Sequence, residues 1–224
     1  MSADPSTLWD RYWKKDQSLF AWTYDRIAAF YRTVIIDQAV NLAGRRYYKE
    51  GSEILHAGCG SGATDIPLQE YAEVIALDIS IEALRVYRKL HPVHTKQIQA
   101  DILNMPFPDE SVDGLLSIGV VEHFEASELP ALFQEHGRVV RRGGYLIVLW
   151  PPVWGLSVMV LAFAECVIGA LLRRSIRLHP PEPTKYRSRG QVQQYINGSG
   201  LDLVESSFSW RDAFTHQFVV LQRR

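Results

Sequence analysis

Two cysteines, Cys59 and Cys166, are all the chain contains. They are too few for a disulfide framework and are not at metal-ligand spacing from each other. A reduced, cytoplasmic setting is the plain expectation. An excess of charge is missing too: 24 Lys and Arg stand against 25 Asp and Glu, for a net charge of −1, and no basic block stands out. That removes the electrostatic case for a nucleic-acid partner. No internal repeat, low-complexity stretch or linker breaks the 224 residues, so a single domain over 1–224 is expected. The polar and aromatic start, Met1 to Gln17, shows no apolar signal-peptide core.

What is present begins with core material. The chain is 47% hydrophobic and 22% charged, a balance that suits one soluble α/β domain. Its organising stretch is Glu53-Ile-Leu-His-Ala-Gly-Cys-Gly-Ser-Gly62. A short apolar run (Ile54, Leu55, Ala57) ends in glycines at alternate positions, Gly58, Gly60 and Gly62. From Ala63 to Tyr71 the composition is helical, Pro67 apart. The pattern predicts a strand, a tight glycine turn and a helix start. Glycine lacks a Cβ, so its backbone takes positive φ and lies directly against a ligand. A nucleotide-like cofactor at the end of the first strand is the leading reading, and an ordinary strand-to-helix turn the bland one.

Residues 1–50 form an expected helical cap. Trp9, Tyr12, Trp13, Phe20, Trp22 and Tyr24 make its start aromatic, and Tyr24 to Tyr48 carries an amphipathic pattern. The cap either packs on the sheet or closes over a ligand with Tyr12 or Trp13 touching it. Strands are expected at Glu53–Ala57, Glu73–Asp78, Thr95–Asp101, Val112–Ile118 and Tyr145–Trp150, with helices at Ile81–Leu90 and Leu129–Val140 between them. Arg141-Arg-Gly-Gly144 reads as the turn into the fifth strand. A helix at Gly190–Asn197 precedes two last strands, Leu201–Phe208 and Phe214–Gln222, whose short joint at Ser209–Asp212 makes them antiparallel neighbours. Alternating strand and helix predicts a doubly wound parallel sheet.

Ligands of such a sheet bind beyond the carboxyl ends of its strands. Asp78 ends the second strand, twenty residues past Gly58, placed to accept from both ribose hydroxyls. Asp101 ends the third, placed for the exocyclic amine of an adenine between Ile79 and Ile102. Either Asp alone could be a helix cap. Gly58-x-Gly60-x-x-Ala63 with Asp78 also satisfies the dinucleotide fingerprint, which keeps a nicotinamide oxidoreductase as the alternative. Three features favour S-adenosylmethionine: the long segment before the first strand, the placement of Asp101, and a closing strand pair instead of a second βαβ half.

Five segments together resemble the class I S-adenosylmethionine-dependent methyltransferases, in their broad type 11 group. They are Ile54–Gly62, Val74–Asp78, Gln99–Asp109, Val121-Glu-His-Phe124 and Gly137–Gly144. The resemblance implies a Rossmann-like seven-stranded sheet with an antiparallel last strand, and S-adenosyl-L-methionine as cofactor. It implies that Gly58, Gly60 and their neighbour Ala57 cradle the methionine part, that Asp78 holds the ribose, and that Asp101 with Ile102 faces the adenine. The segment around Ile118 closes the other side. Two departures stand out. His56 occupies the place of the family's frequent acid before the glycine loop. Glu122-His123 is half of a metal-binding Glu-x-x-Glu-His, with Gly119 where the first Glu belongs, so no metal is expected. The sulfonium methyl is already activated, so alignment and water exclusion dominate. His123, just past the fourth strand, is the candidate base, with a loop-orienting or cofactor-contacting role as its alternative. A non-catalytic cofactor-binding module is the third reading.

The longest apolar run is Val153–Leu172, with Glu165 its only charge and Arg173, Arg174 and Arg177 after it. A helix apolar on all sides needs burial all round or a non-aqueous neighbour. About 20 residues reach about 30 Å, enough to span a bilayer. Strands of one sheet flank the run on both sides, which argues against a span. Residues 152–184 are therefore expected to form a lid over an apolar acceptor (lipid-, quinone- or aromatic-like), a lid resting on a membrane through 153–177, or a dimer contact. The chain is expected to be a monomer or a dimer.

Overall fold

The computed structural model describes residues 5–14, 36–91, 95–155, 158–159, 181–208 and 214–224. Helix α1 spans Pro5–Trp13 and α2 Asp37–Tyr47. Strand β1 is Glu53–Ala57 and β2 Glu73–Asp78, followed by α3 at Ile81–Leu90. Then come β3 (Lys96–Gln99), β4 (Val112–Ile118), α4 (Leu129–Val139) and β5 (Val140–Trp150). The chain closes with α5 (Arg189–Ile196), β6 (Leu201–Ser207) and β7 (Gln217–Arg223).

The seven strands lie in the order β3-β2-β1-β4-β5-β7-β6. The first five are parallel, and β7 runs antiparallel between β5 and β6. This is the expected Rossmann-like sheet. Its centre is β1, where Ile54, Leu55 and Ala57 are fully buried because helices cover both faces. Leu55 and Ala57 join Ile75, Leu77, Leu115, Leu146, Leu132 and Phe133 on the α4 side. Ile54 packs with Val74, Leu116, Ile147, Val40 and Ile36 on the α2 side. Tyr48 lies flat on β4, where a Cβ on Gly114 would stand 2.6 Å from its ring, and its hydroxyl donates to the Leu115 carbonyl at 2.7 Å.

Local chemistry sets the helix starts. Ser80 caps α3 by accepting from Ala83 N at 3.2 Å, and Ser188 caps α5 by accepting from Gln191 N at 3.2 Å. Four expectations change. Ala63–Tyr71 forms turns and a three-residue 3-10 helix at Leu68–Glu70, because Pro67 removes a donor and restricts Ile66 before it. Strand β3 stops at Gln99, so Asp101 stands two residues beyond it, in a turn. Arg141–Gly144 is a bulge inside β5, with a register shift between Val112 and Gly114 and Gly143 at φ +79. Strand β7 begins at Gln217, after Phe214 takes φ +56. The expected helix from Tyr24 is described only from Ile36 onward. The Ser209–Asp212 joint, most of Val153–Leu172 and the three arginines after it lie outside the described residues.

Both ends of residues 152–184 are described where they meet the sheet. Tyr186 N donates to the Pro151 carbonyl at 3.0 Å, and Val153 N to the Tyr186 carbonyl at 3.1 Å. The outgoing and returning limbs thus leave the carboxyl end of β5 side by side. No described helix is long and apolar enough to cross a membrane.

Candidate active site

The carboxyl ends of β1, β2 and β4 converge on the glycine loop. Gly58 N and Cys59 N both donate to the Leu77 carbonyl, at 2.8 and 3.0 Å, which folds the loop back over β2. Gly58 has φ +74, and a Cβ there would lie 2.4 Å from the Val120 side chain. Gly60 has φ +54, and a Cβ there would lie 2.9 Å from the Trp13 ring. Neither position accepts another residue without a shift.

Asp78 braces this loop. Its Oδ2 accepts from Gly60 N and its Oδ1 from Ser80 N, both at 2.8 Å. Burial pushes its carboxyl above the usual range, and the backbone donors pull it back. Each oxygen keeps one acceptor site for a ligand hydroxyl. Ile79 is half-buried beside it, and Ile102 is buried at the edge of the core. Asp101 is exposed, and its Oδ1 accepts from Leu103 N at 2.9 Å, so it caps its own turn. Ile118 is half-buried at the end of β4, on the α2 face of the sheet. The structure therefore brings Ala57, Gly58, Gly60 and Asp78 together directly, and sets Asp101 and Ile102 at the rim.

Helix α1 lies across the loop. Asp10 Oδ1 accepts from Ser80 Oγ at 2.6 Å, and Lys14 pairs with Glu82 at 3.2 Å. Trp13 faces Gly60, Tyr12 stacks edge-on between Trp9 and Trp13, and Trp9 meets the His123 ring at 4.9 Å. The N-terminal aromatics thus sit at the ligand end of the sheet.

Behind the loop lies a polar layer that the sequence reading did not identify. His56 Nδ1 bonds Asp65 Oδ1 at 2.7 Å, and Tyr87 OH donates to Asp65 Oδ2 at 2.8 Å. His91 bonds the Gly62 carbonyl through Nε2 and Gln69 through Nδ1, both at 2.9 Å, and stacks on Tyr87. His91 thus packs by holding the glycine loop. His56 is 2% exposed, and its Nε2 finds no partner among the described residues. An orphaned buried nitrogen beside a Cβ-free loop fits the amine end of a cofactor lying on that loop.

Past β4, a 3-10 turn at Val121–His123 carries Glu122 and His123. His123 is half-buried, and its Nδ1 bonds the Pro181 carbonyl at 2.8 Å, tying the turn to the returning limb. Glu122 is 4% exposed, and burial lifts its carboxyl to about 8. Among the described residues, no three or more His, Cys, Asp or Glu gather as a metal site would. His136 is fully buried on α4, and His94 and His179 lie outside the described residues.

Residues 55–148 match the model of a methyltransferase domain family. Over this segment the chain carries a methyltransferase domain similar to those of S-adenosylmethionine-dependent methyltransferases. Its cofactor is S-adenosyl-L-methionine, and the nicotinamide alternative falls away with the antiparallel β7 where a second βαβ half would stand. A probable S-adenosylmethionine-dependent methyltransferase of Mycobacterium tuberculosis is 33% identical over 100 residues, 44% of this chain and 35% of its own. A fatty-acid O-methyltransferase of Mycolicibacterium smegmatis is 30% identical over 136 residues, 57% of this chain and 47% of its own. The chain thus spans less than half the length of these curated relatives. In fold it is similar to magnesium protoporphyrin IX methyltransferase from Synechocystis with bound SAH, at TM-score 0.63 and 20% identity, over 98% of this chain and 95% of that one.

Proposed function

We propose that the chain transfers the methyl group of S-adenosyl-L-methionine to a small apolar acceptor. The observation that carries the first half is Asp78 bonded to Gly60 N at 2.8 Å, which locks a Cβ-free loop against the end of β2. In this reading Gly58, Gly60 and Ala57 seat the methionine part, with His56 Nε2 accepting from its amine. Asp78 takes the ribose hydroxyls, Ile79 and Ile102 flank the adenine, and Asp101 turns its second oxygen to the adenine amine. Ile118 closes the far side, and Tyr12 and Trp13 cover the top. When bound, the cofactor supplies an activated methyl group; the residues of the chain align the acceptor and keep water out.

The acceptor reading rests on the insertion. Val153, Trp154 and Met159 are 40%, 47% and 62% exposed at its outgoing limb, beyond the end of β5. The returning limb bonds the His123 turn through Pro181 and Thr184, so a lid over 152–184 delivers an apolar molecule to the methyl group. Relatives named for fatty-acid, sterol and porphyrin methylation support that class. His123 stands at the transfer point, and proton removal is required of it only where the acceptor carries a proton.

Calorimetry tests the reading. S-adenosylmethionine or its demethylated product is expected to bind, with NAD(H) silent. Asp78→Ala is expected to weaken that binding by about 1.5–3 kcal/mol. An unchanged affinity would remove Asp78 from the site. Replacing residues 155–172 by a short Gly/Ser bridge should spare cofactor binding and abolish methylation. Full turnover after that deletion would discard the lid.

A further inference from the structure

Large apolar side chains gather in the open at one rim of the molecule. The other exposed ones among the described residues, Leu8, Leu42, Ile66, Leu90 and Val204, stand one to a segment. Scattered singly, such residues are ordinary surface. Beyond the carboxyl end of β5 the pattern differs. Val153 and Trp154 are 40% and 47% exposed, and Trp154 rests edge-on against Tyr186 with ring centroids 6.1 Å apart. Met159 lies one helical turn past Gly155, its N donating to the Gly155 carbonyl at 3.1 Å, and is 62% exposed. A Cβ on Gly155 would stand 3.0 Å from the Thr215 carbonyl, so this limb lies against the residue after Phe214. Phe214 is 48% exposed just before β7, its ring 5.5 Å from that of Phe208. It holds φ +56, a left-handed backbone that a bulky residue adopts only under constraint. A constrained backbone that keeps an aromatic ring in solvent does nothing for the core.

The surroundings of this patch are basic. Arg187 directly follows Tyr186, and Arg189 opens α5; both are exposed, and neither meets a carboxylate among the described residues. Glu182, the nearest acid along the chain, is held by Lys185 at 2.7 Å. In sequence, Trp154 and Met159 open the apolar run that closes on Arg173, Arg174 and Arg177.

We propose that this rim is a docking surface for an anionic lipid bilayer. Trp154, Met159 and Phe214 enter the boundary between headgroups and acyl chains, and Arg187 and Arg189 meet the lipid phosphates. Tryptophan suits that depth because its ring is apolar and its N–H is not. A second copy of the chain fits less well: a two-fold contact through the same patch sets the basic surroundings of one copy beside those of the other. The inference goes beyond the methyl-transfer reading and does not need it. It adds a source for the acceptor. The glycine loop lies at the same end of the sheet, so an apolar molecule enters from the bilayer without crossing water.

Flotation of the purified full chain tests the docking surface, with no cofactor present. Vesicles of phosphatidylcholine and phosphatidylglycerol in equal parts are compared with vesicles of phosphatidylcholine alone. The chain should float with the mixed vesicles, and raised salt should weaken that binding. Trp154→Ser and Met159→Ser should each lower the partition coefficient about 3–30-fold. Arg187→Gln and Arg189→Gln should each lower it about 5-fold on mixed vesicles and leave binding to phosphatidylcholine unchanged. Phe214→Gly removes the ring and the backbone constraint together, so it should bind about 3–30-fold more weakly while its Tm stays close to that of wild type. No flotation with either vesicle overturns the inference. So does equal binding to both vesicles, or flotation that none of the Trp154, Met159 and Phe214 changes weakens. Sedimentation of the chain alone tests the competing occupant: a dimer that Met159→Ser dissociates makes this rim a contact between copies and overturns the inference too. A chain that floats but binds no S-adenosylmethionine in calorimetry keeps the docking surface and loses the methyltransferase reading.

Discussion

His56 bonds Asp65 through Nδ1, and Asp65 takes the Tyr87 hydroxyl on its other oxygen. With Nδ1 held on Asp65, Nε2 is the ring nitrogen left for a ligand. A histidine so oriented offers an ammonium group the acceptor that a carboxylate offers elsewhere in the family. We predict that His56→Leu weakens S-adenosylmethionine binding by about 1–2 kcal/mol, and Asp65→Asn by less, in calorimetry on folded variants. Equal affinities in wild type and His56→Leu would place the amine elsewhere. His123 invites a second comparison. As a base, His123 should cost about 10²–10⁴ in kcat when changed to Ala, with cofactor affinity nearly intact, whereas equal losses in both would assign it to the cofactor's surroundings. The glycines and Asp78 were legible because their roles follow from spacing along the chain. Asp65, Tyr87 and Glu122 were not: each acts through burial and a partner that the fold brings from another element. Glu122 was visible only as half of a metal pair, a reading that ignores which way its side chain turns.

Helix α1 has no buried residue. It is held by Asp10 on the α3 cap, by Lys14 on Glu82, and by aromatic rings over Gly60 and His123. An element with such contacts opens at little cost, as a cover over a ligand must. Trp13→Ala is therefore expected to leave Tm nearly unchanged and to speed cofactor release about 3–30-fold in stopped-flow displacement. No change in release rate would reduce α1 to packing. Element boundaries in the sheet were legible because β1, β2 and β4 are apolar runs stopped by polar turns. The stretch after the loop was not, since helical composition around Pro67 does not outvote the missing donor. Arg141–Gly144 was read as a turn for the same local reason. The strand continues through it because Gly144 lets the chain pass 2.5 Å from the Asp113 carbonyl, measured to the Cβ it lacks.

At the scale of the molecule, alternation of strand and helix predicted a parallel sheet, and the short joint near residue 210 predicted its antiparallel end. Sheet order was not in that pattern, because nothing local tells β4 to pair with β1 instead of β3. Stability against pH is likewise a property of the whole, summed over groups that folding perturbs. His136 is pushed down to about 4 from 6.5 by burial. The unfolded chain takes up that proton first, so its contribution is lost as pH falls from 6.5 toward 4. Asp37 is raised to about 6 from 3.8, so its stability is present in acid and lost by about pH 6. Above pH 6.5 the Asp37 contribution is gone and the His136 contribution is fully gained. Glu122 still differs there: protonated in the fold up to about 8, ionised in the unfolded chain above 4.5. Each further unit of pH then favours unfolding by one proton. Stability should fall by about 1–2 kcal/mol between pH 6.5 and 8. Urea midpoints across that range check it, with Glu122→Gln expected to run flat and the m-value constant. A wild-type slope that survives in Glu122→Gln would show that burial does not hold this proton.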